Sequence, residues 1–105
     1  MNPQSVLIVE DLPETLNWLR KLVDEVFPGV ALRTAETLKS AKSEIQQMDF
    51  DLVLLDLGMP DGDGTDLIRD IRIRSKTTPY IVVTTIFDDD DHLRQALRLG
   101  ALDTS

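Results

Sequence analysis

Residues 52–65 read LVLLDLGMPDGDGT, an uninterrupted apolar run that ends on Asp56 and gives way to a loop punctuated by Pro60, Gly62 and Gly64. A strand with one solvated face alternates apolar and polar side chains, whereas a run apolar at every position predicts a strand buried on both faces, as in a parallel sheet covered by helices. Pro and Gly punctuate rather than continue regular structure, so Asp56 stands at the carboxyl end of that strand. Open parallel sheets bind their ligands beyond those carboxyl ends. This one position therefore bears on both the fold and the chemistry.

The same grammar extends in both directions. Upstream, Val6 to Val9 is a second continuous apolar run, ending at the acids Glu10 and Asp11. Pro13 can open a helix at its first turn, where a missing N–H costs nothing. Leu16, Leu19, Leu22, Val23 and Val26 then recur at three- and four-residue spacing and stop before Pro28 and Gly29. Val30 to Thr34 reads as a further strand, and Leu38, Ala41, Ile45 and Met48 mark a second amphipathic helix. Downstream, Leu67, Ile68, Ile71 and Ile73 predict a third helix, and Tyr80 to Thr84 a strand rich in β-branched residues. Leu93, Ala96, Leu97 and Leu99 predict a last helix stopped by Gly100. Strands alternating with helices in this way predict an α/β fold, a doubly wound parallel sheet with helices on both faces, because right-handed crossovers demand it.

Composition narrows the function classes. A chain of 105 residues fits one domain, and 42% apolar with 29% charged residues is ordinary for a globular protein. The formal charge of -8 disfavours nonspecific attraction to nucleic acid or anionic lipid, so an anion-binding role needs a bound cation. With no cysteine, there is neither a disulfide framework nor a thiolate zinc site. Met1 to Ser5 has no basic leader character and no apolar run has the length of a membrane span, which makes the cytoplasm the expected location.

Glu10 and Asp11 follow the first strand and Asp56 the third, which a doubly wound order makes neighbours. Acids so close together repel one another and hold protons unless a hard dication accepts their oxygens, and Mg²⁺ suits carboxylates, water and phosphate. Asp56 is the candidate nucleophile, since a carboxylate attacks phosphorus to give an acyl phosphate while a metal offsets the transferring charge. Glu10 and Asp11 are the candidate metal ligands. Taken singly, each acid also reads as a solvated loop residue. Their shared edge favours the joint reading.

From about Val6 to Asp103 these residues resemble the receiver (CheY-like) domains of bacterial two-component systems. The acidic pair Glu10-Asp11, the strand ending in Asp56, Met59-Pro60 and Gly64 match that family's phosphorylation-site signature. The resemblance implies a flavodoxin-like sheet of order 2-1-3-4, and a phosphoryl group taken on Asp56 from a sensor histidine kinase, followed by a conformational switch. It implies a signalling receiver that promotes its own phosphorylation rather than an enzyme, with Mg²⁺ held by Glu10, Asp11, Asp56 and the main-chain carbonyl of Gly58. A Ser or Thr ending the fourth strand should touch the phosphoryl oxygen. Thr84 and Thr85 both qualify, and counting back from Gly100-Ala101, which resembles the family's Gly-Ala, favours Thr85. Ile86-Phe87-Asp88-Asp89-Asp90 resembles the NarL/FixJ-type subgroup, and a DNA-binding output domain outside this chain is the expected readout. The family's fifth strand should begin near Asp103 and end at a lysine that pairs with the phosphoryl group. Residues 1–105 are thus expected to be a single receiver domain lacking that lysine, the fifth strand and the fifth helix, with Lys76 a poor substitute in a loop at the opposite end. An exposed fourth-strand edge that invites self-association, and one sheet face short of a helix, are the structural expectations.

Rival readings attach to the same residues. A noncatalytic dimerisation or docking module could use a truncated receiver fold with a vestigial pocket. Asp61-Gly-Asp-Gly-Thr65 spells the DxDGT motif of haloacid-dehalogenase-like phosphatases, but that chemistry needs its first Asp directly after a buried strand, and here the strand ends at Asp56. A calcium loop counted from Asp61 meets Arg72 where a bidentate Glu belongs. Gly62 and Gly64 read as a turn, and Asp61, Asp63 and Asp66 as acids favouring the positive end of the following helix. Asp88 to Asp91 read as helix capping, His92 as a surface residue without a charge partner, and Trp18 as a marginal packing residue.

Overall fold

The continuous apolar runs form the centre of the sheet, as double burial requires. In the computed structural model the described residues are 3–74, 79–87 and 89–102, with the backbone alone for 86 and 99–102. Strand β1 (Ser5–Val9) and strand β3 (Leu52–Leu55) are buried at every position. They pair in parallel, Val6 opposite Leu52 and Val9 opposite Leu55. Strand β2 (Ala31–Ala35) lies outside β1, and strand β4 (Tyr80–Val83) outside β3, giving four parallel strands in the order β2-β1-β3-β4. This is the expected order. Thr84 does not extend β4 but opens a single 3₁₀ turn, Thr84–Ile86. Among the described residues β4 pairs with no strand other than β3, and Tyr80 on it is 37% exposed.

Alternation along the strands divides the core into two layers. Val6, Ile8, Leu52, Leu54 and Val82 point to one face, where Leu16, Leu19, Leu22 and Val23 of helix α1 (Pro13–Val26) cover them. Leu7, Val9, Val53 and Leu55 point to the other, covered by Leu38 and Ala41 of helix α2 (Leu38–Gln47) and Leu67 and Ile71 of helix α3 (Gly64–Arg74). Complete burial of one such leucine contributes roughly 2 kcal/mol. Ile73, expected on the buried stripe of α3, is 75% exposed, because two residues beyond the buried Ile71 lie about 200° around the helix, on its opposite face.

Helix α4 (Asp90–Leu102) departs from expectation twice. It continues through Gly100 rather than stopping there. It also packs beside α1, where Leu93 and Leu97 insert against Val82 and Leu54, so that each sheet face carries two helices among the described residues. Polar contacts hold this seam: the Trp18 indole N–H donates to Asp90 Oδ1, and the Arg94 guanidinium pairs with Glu25 of α1 and Asp91 of its own first turn. Lys76, Asp88 and residues 103–105, where a fifth strand was expected to start, lie outside the described residues.

A feature not foreseen sits between β3 and α3. Gly58–Met59 pairs antiparallel with Gly62–Asp63 in a two-stranded ribbon, Gly58 opposite Asp63 and Met59 opposite Gly62. Gly62 has φ 149°, a backbone region open to glycine at little cost.

Candidate functional site

Backbone register assembles the acidic edge. Because Val9 and Leu55 are partners, the next residues of both strands emerge side by side, and the Asp56 N–H donates to the Val9 carbonyl at 3.1 Å. The Glu10 N–H is anchored to the Ala35 carbonyl of β2 at 2.9 Å. Glu10, Asp11 and Asp56 each offer one carboxylate oxygen, and these oxygens lie within 4.8 Å of one another. No lysine or arginine among the described residues forms an ion pair with them.

Glu10 is the buried member at 3% exposure, its Oε2 accepting from the backbone N–H of Asp11 at 2.9 Å and of Leu12 at 3.1 Å. Loss of water on burial, only partly offset by the Leu12 N–H and reinforced by the Asp56 charge, raises its pKa to about 7. Burial first and the neighbouring Asp56 charge second both disfavour the ionised Glu10 carboxylate, and a bound divalent cation would relieve both. The three acids therefore suit a hard dication such as Mg²⁺, an ion that takes carboxylate oxygens together with water and phosphate oxygens.

Asp56 is half-buried and oriented through Oδ1. That oxygen accepts from the Gly58 N–H at 3.0 Å and from the Thr85 hydroxyl at 2.9 Å. The Thr85 Oγ1 in turn accepts from the Leu57 N–H at 3.1 Å. Thr84, the other candidate, is buried, and its hydroxyl meets no partner among the described residues. The side chain at the pocket is thus that of Thr85. The 3₁₀ turn is what carries it over the end of β3.

Two sequence readings are corrected. Asp61, assigned to the start of α3, instead reaches back to α2, its Oδ1 accepting from Leu38 N at 2.8 Å and its Oδ2 from Lys39 N at 3.1 Å. Both oxygens are committed on a ribbon tip rather than directly after a buried strand of the parallel sheet, which removes the phosphatase reading of DxDGT. Asp63 does serve α3, accepting from the Thr65 N–H at 3.0 Å. His92, expected to lack a charge partner, has its Nδ1 against Asp89 Oδ2, while Asp89 Oδ1 accepts from the His92 N–H at 2.9 Å. Asp89 thus caps α4 as anticipated for the acidic run.

Comparison with known proteins points the same way. Residues 6–104 match the family model described as the response regulator receiver domain. The chain is 35% identical over 105 residues to the response regulator protein PilR of Pseudomonas aeruginosa, covering 98% of this chain and 22% of that protein. It is 39% identical over 99 residues to the KDP operon transcriptional regulatory protein KdpE of Escherichia coli, covering 94% of this chain and 42% of KdpE. Less than half of either relative is therefore spanned. Among solved structures, the MaeR response regulator bound to beryllium trifluoride superposes with a TM-score of 0.70 at 30% identity, over 97% of this chain and 83% of that one. The relatives are of the OmpR and NtrC types, so the NarL/FixJ-type subgroup expected from Ile86 to Asp90 is not supported. The acids in that segment cap a helix, a role common to many helix starts.

Proposed function

The chain belongs to the response regulator receiver family of two-component signal transduction, and on that premise we propose that Asp56 is its phosphoacceptor, charged by a sensor histidine kinase with Mg²⁺ in the acidic pocket. The observation that carries this reading is the convergence on Asp56 of two acids from one side and a hydroxyl from the other. Glu10, Asp11, Asp56 and the Gly58 carbonyl would hold the metal, which supplies neutralisation of charge on the transferring group.

The chain's own residues account for the rest. Oδ1 of Asp56 is fixed by the Gly58 N–H and the Thr85 hydroxyl, and Oδ2 accepts no hydrogen bond from the described residues, which leaves it available for in-line attack. A bond forms from Oδ2 to phosphorus as the bond from phosphorus to the donor's imidazole nitrogen breaks, and the imidazole leaves with its electron pair. Thr85 then follows the new oxygens, and because it lies within the turn that precedes α4, its movement biases the seam between α4 and α1. A DNA-binding output domain outside residues 1–105, as in transcriptional regulators such as KdpE, and a cytoplasmic setting complete the reading. No helix among the described residues is long and apolar enough to cross a membrane.

Incubation with Mg²⁺ and acetyl phosphate followed by intact mass measurement tests the proposal: the wild type should gain one phosphoryl group and Asp56→Asn none. No adduct with the wild type, together with no beryllofluoride binding, would favour the second reading, a noncatalytic docking or dimerisation module. That reading draws on the outer edge of β4, which pairs with no further strand among the described residues and so invites pairing with a second copy.

A further inference from the structure

We propose that Asp61 is a positioning residue for the acidic site, clamping the ribbon that carries Gly58 to the first turn of helix α2. The inference rests on the phosphoacceptor reading and extends it to a side chain outside the acidic pocket. A helix leaves its first N–H groups without intrahelical partners, and one side-chain cap ordinarily serves such an end. Helix α2 already has that cap, since Thr37 Oγ1 accepts from the Ser40 N–H at 3.0 Å. Asp61 adds a second, two-oxygen acceptor for Leu38 and Lys39 from a loop more than twenty residues further along the chain. The helix gains acceptors for two further unpartnered N–H groups, those of Leu38 and Lys39. The loop gains its tether.

The ribbon needs one, because pairs of two-residue strands are far too short to hold a conformation by their own ladder. Its base is tied by the Gly64 N–H donating to the Leu57 carbonyl at 3.1 Å. Its tip lies so close to α2 that a methyl group on Gly62 would stand 3.2 Å from Leu38 Cδ1. Between base and tip runs Gly58, whose N–H orients Asp56 and whose carbonyl is the expected metal ligand. Met59 beside it is buried in the same layer as Leu38. The Leu38 and Lys39 N–H groups hold the Asp61 carboxyl below the usual carboxylate range, keeping the clamp charged at neutral pH. With the tip released, Gly58 loses its fixed distance from Glu10 and Asp11.

The test compares Asp61→Ala, Asp61→Asn and Thr37→Ala in the purified chain, at a temperature where circular dichroism shows each to be folded. Mg²⁺ is titrated alone and with beryllofluoride, followed by the amide resonances of Gly58 and Gly64. Asp61→Ala should weaken Mg²⁺ binding about tenfold, while Thr37→Ala, which uncaps the same helix without touching the ribbon, should stay within about twofold of wild type. Asp61→Asn keeps one acceptor oxygen and should fall between them, and it replaces Asp61→Ala if that variant does not fold. Unchanged Mg²⁺ affinity in both Asp61 variants, or equal weakening by Thr37→Ala, would overturn the positioning role alone. Wild-type protein that takes up neither Mg²⁺ nor beryllofluoride would instead overturn the reading of the pocket, and this inference with it.

Discussion

Glu10→Gln should remove a pH dependence of stability that the metal-free protein owes to this one side chain. In the folded chain the Glu10 carboxyl keeps its proton until about pH 7, against 4.5 for the same group unfolded. Between those values the native state binds more protons than the unfolded one, so the contribution is fully present below about pH 4.5 and is lost as pH rises through about 7. At about 1.4 kcal/mol per unit, the whole contribution is roughly 3 kcal/mol, of which about 2 kcal/mol is lost between about pH 5.5 and about pH 8. Urea unfolding in EDTA at the two pH values measures it. Subtracting the Glu10→Gln profile cancels the titrating groups that do not interact with Glu10, because the amide is close in shape but does not ionise. Mg²⁺ added near pH 8 should restore wild-type stability by about 2.7 kcal/mol at a hundred times its Kd, and the variant by less. Wild-type and Glu10→Gln profiles that run parallel to within about 0.5 kcal/mol would refute the argument from burial and neighbouring charge.

Gly64→Ala should destabilise the chain by about 1 to 3 kcal/mol in urea unfolding. Its new methyl group would stand 2.9 Å from Leu57 Cα and 3.1 Å from the Asp56 carbonyl, backbone atoms that cannot turn aside. Leu97→Ala should cost about 2 to 5 kcal/mol, the range for a leucine deleted from a packed core, and a loss below about 1 kcal/mol would contradict the packing of α4 against α1.

Legibility in the sequence followed burial. Strands β1 and β3 could be read directly because residues buried on both faces leave continuous apolar runs, and the stripe of α1 was read residue by residue for the same reason. Glu10, Asp11 and Asp56 came with them, since a strand end fixes where its next side chain emerges. Strand β2 was placed one residue early because, as an edge strand, it is largely exposed and its pattern is weak. Periodicity shows that a helix has an apolar stripe without saying which sheet face receives it, and so the side chosen by Leu93 and Leu97 could not be read. The ribbon was invisible because two-residue strands have no period. Asp61 was assigned to the nearer helix because local sequence favours local capping, whereas its partners are at Leu38 and Lys39. The Gly100-Ala101 spacing, by contrast, selected the same threonine that the structure sets against Asp56.

Trp18 is the only tryptophan in the sequence, and its indole lies at the margin of the α1 layer with its N–H on Asp90. Indole emission responds to water and to a neighbouring carboxylate, so the protein carries its own optical gauge at the first turn of helix α4. Phosphorylation of Asp56, as proposed, would thereby be readable through Trp18 in the native molecule, without a dye or an added label.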